Sequence, residues 1–380
     1  MTETITDVTA GGKPRYELLD GLRGVAAILV ICYHFCEAFA TSPVDMNMNH
    51  GYLAVDFFFA LSGFVIGYAY DGRWGKGLTR RGFMLRRVIR LHPMVILAVV
   101  LGAAAFLIQG SVKWDGTAVG LPSVALALLL GLLLIPVLPG SGAEVRGNGE
   151  MFPLNGPSWS LFFEYIASIL YAILLFRMST RQLRWFVAAS VAGLIATTLA
   201  DISGAYNIGV GWTMANYGFF GGLLRMLFSF SAGLLMCRTF RPRKIRGAFW
   251  ICTATLCAVF ACPYVGSSTE PSVLNAVYDL TAAIIVLPAM VWIGACGVTT
   301  DRLSTAVCGF MGAISYPVYI IHYPAMYLFY SWVWGNGLGF EEVWPTCIGI
   351  FVGIITLAWL AMKYYDIPVR RRLTAGFIKR

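Results

Sequence analysis

Apolar residues fall in long blocks separated by short polar connectors, and no amphipathic stripe competes with that pattern. A helix crossing the hydrocarbon layer of a membrane needs about 20 mainly apolar residues. Eleven blocks approach that length: roughly 19–40, 51–71, 88–109, 121–139, 157–177, 184–201, 217–237, 247–265, 276–296, 306–332 and 346–364. They follow one another almost without interruption. The pattern therefore predicts an all-α, polytopic transmembrane bundle forming one domain over 19–365, with a polar segment 1–18 before it and a basic tail 366–380 after it. No soluble appendage, internal repeat or low-complexity linker is expected. The longest non-apolar stretch, 140–157, is expected to be only a loop.

The connectors carry the orientation. Arg73, Lys76, Arg80, Arg81, Arg86, Arg87 and Arg90 lie between the second and third blocks, or at the start of the third. Arg177, Arg181 and Arg184 join blocks five and six, and Arg238 to Arg246 join blocks seven and eight. The tail holds Arg370, Arg371, Arg372, Lys379 and Arg380, whereas segments 41–50, 202–216, 266–275 and 334–345 contain no Lys or Arg. The positive-inside rule then places both ends of the chain in the cytoplasm. Two cytoplasmic ends need an even number of crossings, and eleven blocks is odd. Block 121–139 is short and contains Pro122, Pro136 and Pro139, so it is expected to re-enter or lie on the surface, leaving about ten spans. Non-helical backbone is tolerated at membrane depth where protein or water covers it. Block 157–177 as the non-crossing one is the alternative.

Composition narrows the class. Hydrophobic residues make up 58% and charged residues 12%, against roughly 25% charged in soluble proteins; several soluble domains are excluded. The net charge of +9 sits in the connectors, which orients a membrane protein and argues against nucleic-acid binding. The nine cysteines form no CxxC pair and lie almost entirely in apolar blocks, as small packing residues do; neither a disulfide framework nor a metal site is expected. Ala38-Phe39-Ala40 imitates a signal-peptide cleavage site, but the preceding segment carries Asp20, Arg23, His34 and Glu37.

Ionisable groups inside a span are costly and mark function by default. In the first block, Arg23 and His34 are eleven positions apart. That is about 16 Å of helical rise and three turns plus about 20°, so both side chains leave on one face. Arg23 is expected near the cytoplasmic surface and His34 near mid-membrane. Taken singly, each also fits a topological anchor or a satisfied buried histidine. Asp56 in the second block is expected to orient a base, bind a sugar hydroxyl or end a helix. Ser62 lacks the context of a nucleophile and fits close helix contact better. Arg86, Arg87 and Arg90 suit phosphate, because guanidinium forks bind oxygens bidentately, or serve as topology signals. Asn155 and Trp159 are placed at the outer interface, with Glu164 one to two turns inside, facing a polar cavity. His322 lies between Pro317 and Pro324, which are expected to break or kink the helix.

Five segments taken together resemble the acyltransferase-3 family of integral-membrane O-acyltransferases: LDGLRGVAAILVICYH at 19–34, VDFFFALSGFVI at 55–66, RRVIRLHP at 86–93, NGPSWSLFFE at 155–164 and SYPVYIIHYP at 315–324. His92 and Gly67 depart from residues common in the family. The resemblance implies transfer of an acyl group, commonly acetyl, from cytosolic acyl-CoA as co-substrate to a hydroxyl of an envelope polysaccharide, lipid-linked sugar or small molecule. It matches Arg23 and His34 to the family's essential arginine and histidine, and Arg86, Arg87 and Arg90 to its basic cytoplasmic motif. On that basis the expected catalytic set is His34, Glu164 and Asp56. The expected donor-binding set is Arg23, Arg86, Arg87 and Arg90, and acceptor contacts fall to Asn155, Trp159 and His322. No permanently bound cofactor is expected. The setting is a bacterial cytoplasmic membrane, with acyl-CoA, a glycan or lipid-linked sugar and membrane lipids as partners and no nucleic acid. Some family members carry an additional esterase-like domain; here acyl delivery is expected to fall to the membrane domain or a separate partner. A transporter or flippase using the same charges as a proton relay is the alternative. A receptor or scaffold would not need Arg23 and His34 aligned.

Overall fold

The computed structural model describes residues 16–378 apart from 43, 210, 268 and 300. Most of the 1–18 segment, and Lys379 and Arg380 of the tail, lie outside the described residues. Thirteen α-helices and no strand occur among the described residues: α1 Glu17–Glu37, α2 Ala54–Tyr70, α3 Arg80–Ile108, α4 Leu121–Leu132, α5 Ser158–Ile173, α6 Thr180–Leu199, α7 Gly218–Thr239, α8 Ala248–Phe260, α9 Val273–Thr281, α10 Leu287–Cys296, α11 Arg302–Asn336, α12 Phe340–Ala361 and α13 Ile367–Phe377. Their starts follow local chemistry. Thr79, Ser179 and Asp301 accept backbone N–H bonds at the heads of α3, α6 and α11, satisfying donors that the first turn leaves free.

Eight helical stretches are long and apolar enough to cross a membrane: Glu17–Glu37, Asn49–Arg73, Arg80–Ile108, Thr180–Leu199, Gly218–Thr239, Val273–Cys296, Arg302–Asn336 and Phe340–Phe377. The chain is a polytopic helical membrane protein. α5, α8 and α4 have 16, 13 and 12 residues, about 24, 20 and 18 Å of rise. Ten crossings require α5 and α8 to be added to the eight.

α4 does not cross. Trp114, ahead of it, donates its backbone N–H to the Arg146 carbonyl at 3.0 Å, and the Arg146 guanidinium lies 5.0 Å from the Trp114 ring centre. The chain is therefore back where it started. Between these points α4 packs along α3, with Gly131 against Val99, and His92 Nε2 on α3 lies 2.9 Å from the Leu132 carbonyl at its far end. Block 121–139 is a re-entrant element.

Segment 140–157 is a loop, without helix or strand, but its second half is largely buried. Val145, Arg146, Glu150, Met151, Phe152, Leu154 and Asn155 are all buried. Its buried charges find partners on other parts of the chain as well as within it. Arg146 is covered by Phe106, Trp114 and Tyr327 and donates to the Pro153 carbonyl at 3.0 Å, while Tyr327 bonds Glu150.

α1 and α11 run side by side in the same direction. A Cβ on Gly21 would come within 2.9 Å of Cys308, and one on Gly312 within 2.7 Å of the Asp20 Cβ; one on Gly24 would strike the Met311 carbonyl. α2 and α7 meet likewise, Gly63 against the Phe230 carbonyl and Gly233 against that of Ala60. Small residues let backbones approach where lipid supplies no hydrophobic drive. α11 runs unbroken through Pro317 and Pro324, so of the expected break or kink the break does not occur. Side chains supply bonds to carbonyls along it: Ser315 Oγ donates to the Gly312 carbonyl at 2.9 Å, and His322 Nδ1 to that of Tyr319 at 2.8 Å.

Single cysteines replacing the exposed Asp115 and Ser141, in a background stripped of the nine native cysteines, are expected to be labelled by an impermeant maleimide from the same side. Labelling from opposite sides would show that α4 crosses. Gly24→Leu is expected to separate α1 from α11 and lower the unfolding midpoint in detergent, at an overpacking cost of about 1–3 kcal/mol or more; an unchanged midpoint contradicts the close approach.

Candidate active site

The first half of the site lies at the Arg23 end of α1. Arg23 Nε donates to Ser315 Oγ at 2.8 Å, and Nη2 to the Gly312 carbonyl at 3.2 Å, with Asp20 3.2 Å away. Its guanidinium borders a cavity of about 100 Å³ walled by α1, α2, α3, α5 and α11. Arg87, Arg90, Ser62, Ser160, Glu164, Ser315 and Tyr319 supply its polar lining, and Phe58, Leu61 and Val65 part of its apolar lining. Glu164 thus faces the interior and a polar cavity, as its position in an apolar block requires. It pairs with Arg87, which also donates to Ser168 at 3.1 Å, and it accepts a 3.0 Å bond from Ser62 Oγ. Arg87 is therefore committed to Glu164. Arg90 has no hydrogen-bond or ion-pair partner among the described residues, and it lies open on the cavity wall. Arg86, one residue along the helix from Arg87, is not part of that wall.

The second half lies at the other end of α1. His34 sits in its last turn, since the helix ends at Glu37. His34 Nδ1 is 2.7 Å from Glu37 Oε2, and the Tyr330 hydroxyl donates to the same carboxylate oxygen at 2.9 Å and to the His34 carbonyl at 3.0 Å. Glu37 is a residue that the functional reading missed, although the His-x-x-Glu spacing places both side chains one turn apart on one face. The His34 ring stacks on that of His322, centres 5.3 Å apart and planes inclined by 27°, and Tyr323 meets it edge-on at 4.8 Å. The two halves approach through Tyr319. It lines the cavity, shares a 2.7 Å hydroxyl contact with Ser160, and its ring centre is 6.2 Å from that of His322.

Three residues expected at the site lie elsewhere. Asp56 orients no histidine. It is 0% exposed and pairs at 2.6 Å with Arg225 on α7, also 0% exposed; Arg225 donates further to the carbonyls of Gly209 at 2.7 Å and Tyr52 at 2.8 Å. A carboxylate in an apolar interior requires such a cation. Arg225 was visible as an arginine inside block 217–237. Asn155 is wholly buried, with Nδ2 donating to Ser158 at 2.9 Å. Trp159 is buried too, its ring centre 5.8 Å from the Arg225 guanidinium. Behind this pair, His50 Nδ1 meets Asp279 Oδ1 at 3.0 Å, a second buried pair that nothing in the residue spacing indicated.

Within this helical membrane bundle, Arg23 and Arg90 border a cavity toward one end of α1 and a carboxylate-braced histidine lies at the other. The chain belongs to the acyltransferase-3 family, whose acyltransferase domain it matches over residues 16–363. It is 27% identical over 367 residues to the acyltransferase MdmB of Streptomyces mycarofaciens, spanning 92% of this chain and 87% of that protein. Protein 2 in the picA locus of Rhizobium radiobacter is 35% identical over 195 residues, 48% of this chain and 93% of that protein. The peptidoglycan O-acetyltransferase OatA of Listeria monocytogenes is 37% identical over 84 residues, 22% of this chain and 12% of that protein. No solved structure matches the chain.

The Asp56–Arg225 geometry predicts a structural role. Asp56→Ala leaves Arg225 charged and buried and is expected to destabilise the fold by about 3–5 kcal/mol; the double variant Asp56→Leu with Arg225→Met is expected to recover most of it. Thermal unfolding in detergent checks this. A stably folded but inactive Asp56→Ala protein would instead place Asp56 in the chemistry.

Proposed function

We propose that this enzyme moves an acyl group, acetyl in the simplest case, from cytosolic acyl-CoA to a hydroxyl of an envelope glycan or lipid-linked sugar. It works in a bacterial cytoplasmic membrane with both chain ends in the cytoplasm. The observation carrying this reading is the His34–Glu37 pair, 2.7 Å apart, at the opposite end of α1 from Arg23 and its cavity. Glu37 is the positioning residue: accepting the Nδ1 hydrogen leaves Nε2 of neutral His34 as the acceptor for a proton. The acceptor hydroxyl gives its proton to Nε2 while its oxygen attacks the thioester carbonyl. Collapse of the tetrahedral adduct expels the CoA sulfur, which takes the proton back from His34. Glu37 stabilises the imidazolium formed between these steps.

Donor binding falls to Arg23 and Arg90, with Arg87 held in place by Glu164. The cavity volume of about 100 Å³ is well below the roughly 300 Å³ at the small end of small-molecule sites. It suits a slender pantetheine arm and leaves the charged nucleotide at the cytoplasmic mouth, where guanidinium forks meet phosphate. The family match and the braced histidine favour the enzyme over a transporter or flippase, which would move its substrate without covalent change.

Transfer of label from acetyl-CoA to envelope glycans by the purified full chain tests the reading. His34→Ala is expected to cut turnover by about 10²–10⁴, the worth of a general base, while the protein stays folded and acyl-CoA binding is largely kept. Glu37→Gln is expected to lower kcat with the donor KM nearly unchanged. Arg23→Ala is expected to raise the donor KM, and Arg23→Lys to restore part of the loss, because it keeps the charge and loses the fork. Substantial turnover by a well-folded His34→Ala protein overturns the base.

A further inference from the structure

His322 is 0% exposed and lies one helical turn beyond Tyr319. Its Nδ1 is 2.8 Å from the Tyr319 carbonyl and 3.2 Å from that of Val318. Carbonyl oxygens only accept, so Nδ1 carries a hydrogen, and in the neutral ring Nε2 is then a bare acceptor. Nε2 is buried and has no hydrogen-bond partner among the described residues. A protonated His322 would be a wholly buried cation with no carboxylate bonded to it, which is costlier still. Leaving one polar atom of this kind unsatisfied is costly, and such an atom calls for an explanation. Its ring rests on that of His34, with Tyr323 edge-on to both rings. The orphan atom belongs to the ring that packs against the proposed base.

We propose that His322 is a substrate-binding residue whose Nε2 accepts a hydrogen bond from a second hydroxyl of the acceptor, next to the hydroxyl that is acylated. This rests on the acyl-transfer reading above and narrows its substrate class. With Nδ1 of His34 given to Glu37, the two stacked imidazoles present two acceptor nitrogens. A lone hydroxyl has one hydrogen and satisfies one of them. A diol satisfies both: one hydroxyl donates to His34 and reacts, and its neighbour donates to His322 and fixes which oxygen is presented. Sugars and other polyols have that arrangement, and simple alcohols do not. The other molecule able to donate here is the donor itself, through an amide N–H of its pantetheine arm.

The test uses the full chain in detergent or nanodiscs, labelled acetyl-CoA, and a glycan extract of bacterial envelopes as acceptor. His322→Leu is expected to raise the KM for the extract roughly tenfold, the worth of one buried hydrogen bond, with the acetyl-CoA KM unchanged. His322→Gln, whose Oε1 can accept in place of Nε2, is expected to recover part of the loss. In the wild-type chain, trans-1,2-cyclohexanediol is expected to compete with the extract at roughly tenfold lower concentration than cyclohexanol, and His322→Leu to erase the difference. Equal potency of the two competitors on the wild type overturns the proposal, and needs no variant to fold. A raised acetyl-CoA KM with an unchanged extract KM also overturns it, assigning the hydrogen to pantetheine. Absence of any label transfer by the wild type is a different failure, that of the acyl-transfer reading itself.

Discussion

The close approach of α1 and α11 is the constraint on which the site depends. Gly21, Gly24 and Gly312 remove the side chains that would hold the two backbones apart, and the parallel course then matches the helices level by level. Arg23 meets Ser315 and Gly312, His34 meets His322, and Glu37 meets Tyr330. Neither helix holds the reactive arrangement alone. α1 brings the ionisable groups, and α11 brings the hydroxyls, carbonyls and second imidazole that fix their orientation. Dispersion between well-fitted surfaces is the attraction available in lipid, so smoothness at three glycines does work that an apolar side chain would do in water.

Charge is handled in two ways within the bundle. Asp56 with Arg225, Arg238 with Asp71, and Arg87 with Glu164 are ion pairs that join helices distant in sequence. For the wholly buried Asp56–Arg225 pair, removal of one partner leaves the other charge stranded in low dielectric, which is how such a pair specifies which helices sit together even where its net contribution to stability is small. Arg90 is different: it faces the cavity with no partner among the described residues. A cation left open on a cavity wall is suited to an anion arriving from outside the protein, unlike the arginines already held in ion pairs.

The blocks, the re-entrant element and the helical class were legible because membrane depth imposes length and apolarity on any segment that crosses it. Arg23 and His34 were legible as a face because helical periodicity alone aligns them. Glu164 was legible as inward-facing, since a lipid-facing carboxylate is too costly. What the spacing could not reveal was pairing. Asp56 looked like a free carboxylate because its cation lies 169 positions away on α7. Glu37 was passed over because it entered only as one of the charges that argue against a signal peptide. Segment 140–157 was polar in composition yet buried, since Arg146 finds aromatic faces and a carbonyl that no local pattern announces.

The eleven-residue interval between Arg23 and His34 acts as a ruler as well as a face. One residue added or removed within it would turn His34 about 100° away from α11, and so would cost more than many substitutions at either end. Seven extra residues, close to two full turns, would restore the facing but lengthen the interval by about 10 Å. Such an insertion would call for a donor whose uncharged arm is longer than pantetheine. On the proposed acyl-CoA donor, the length of pantetheine would thus set the interval between Arg23 and His34.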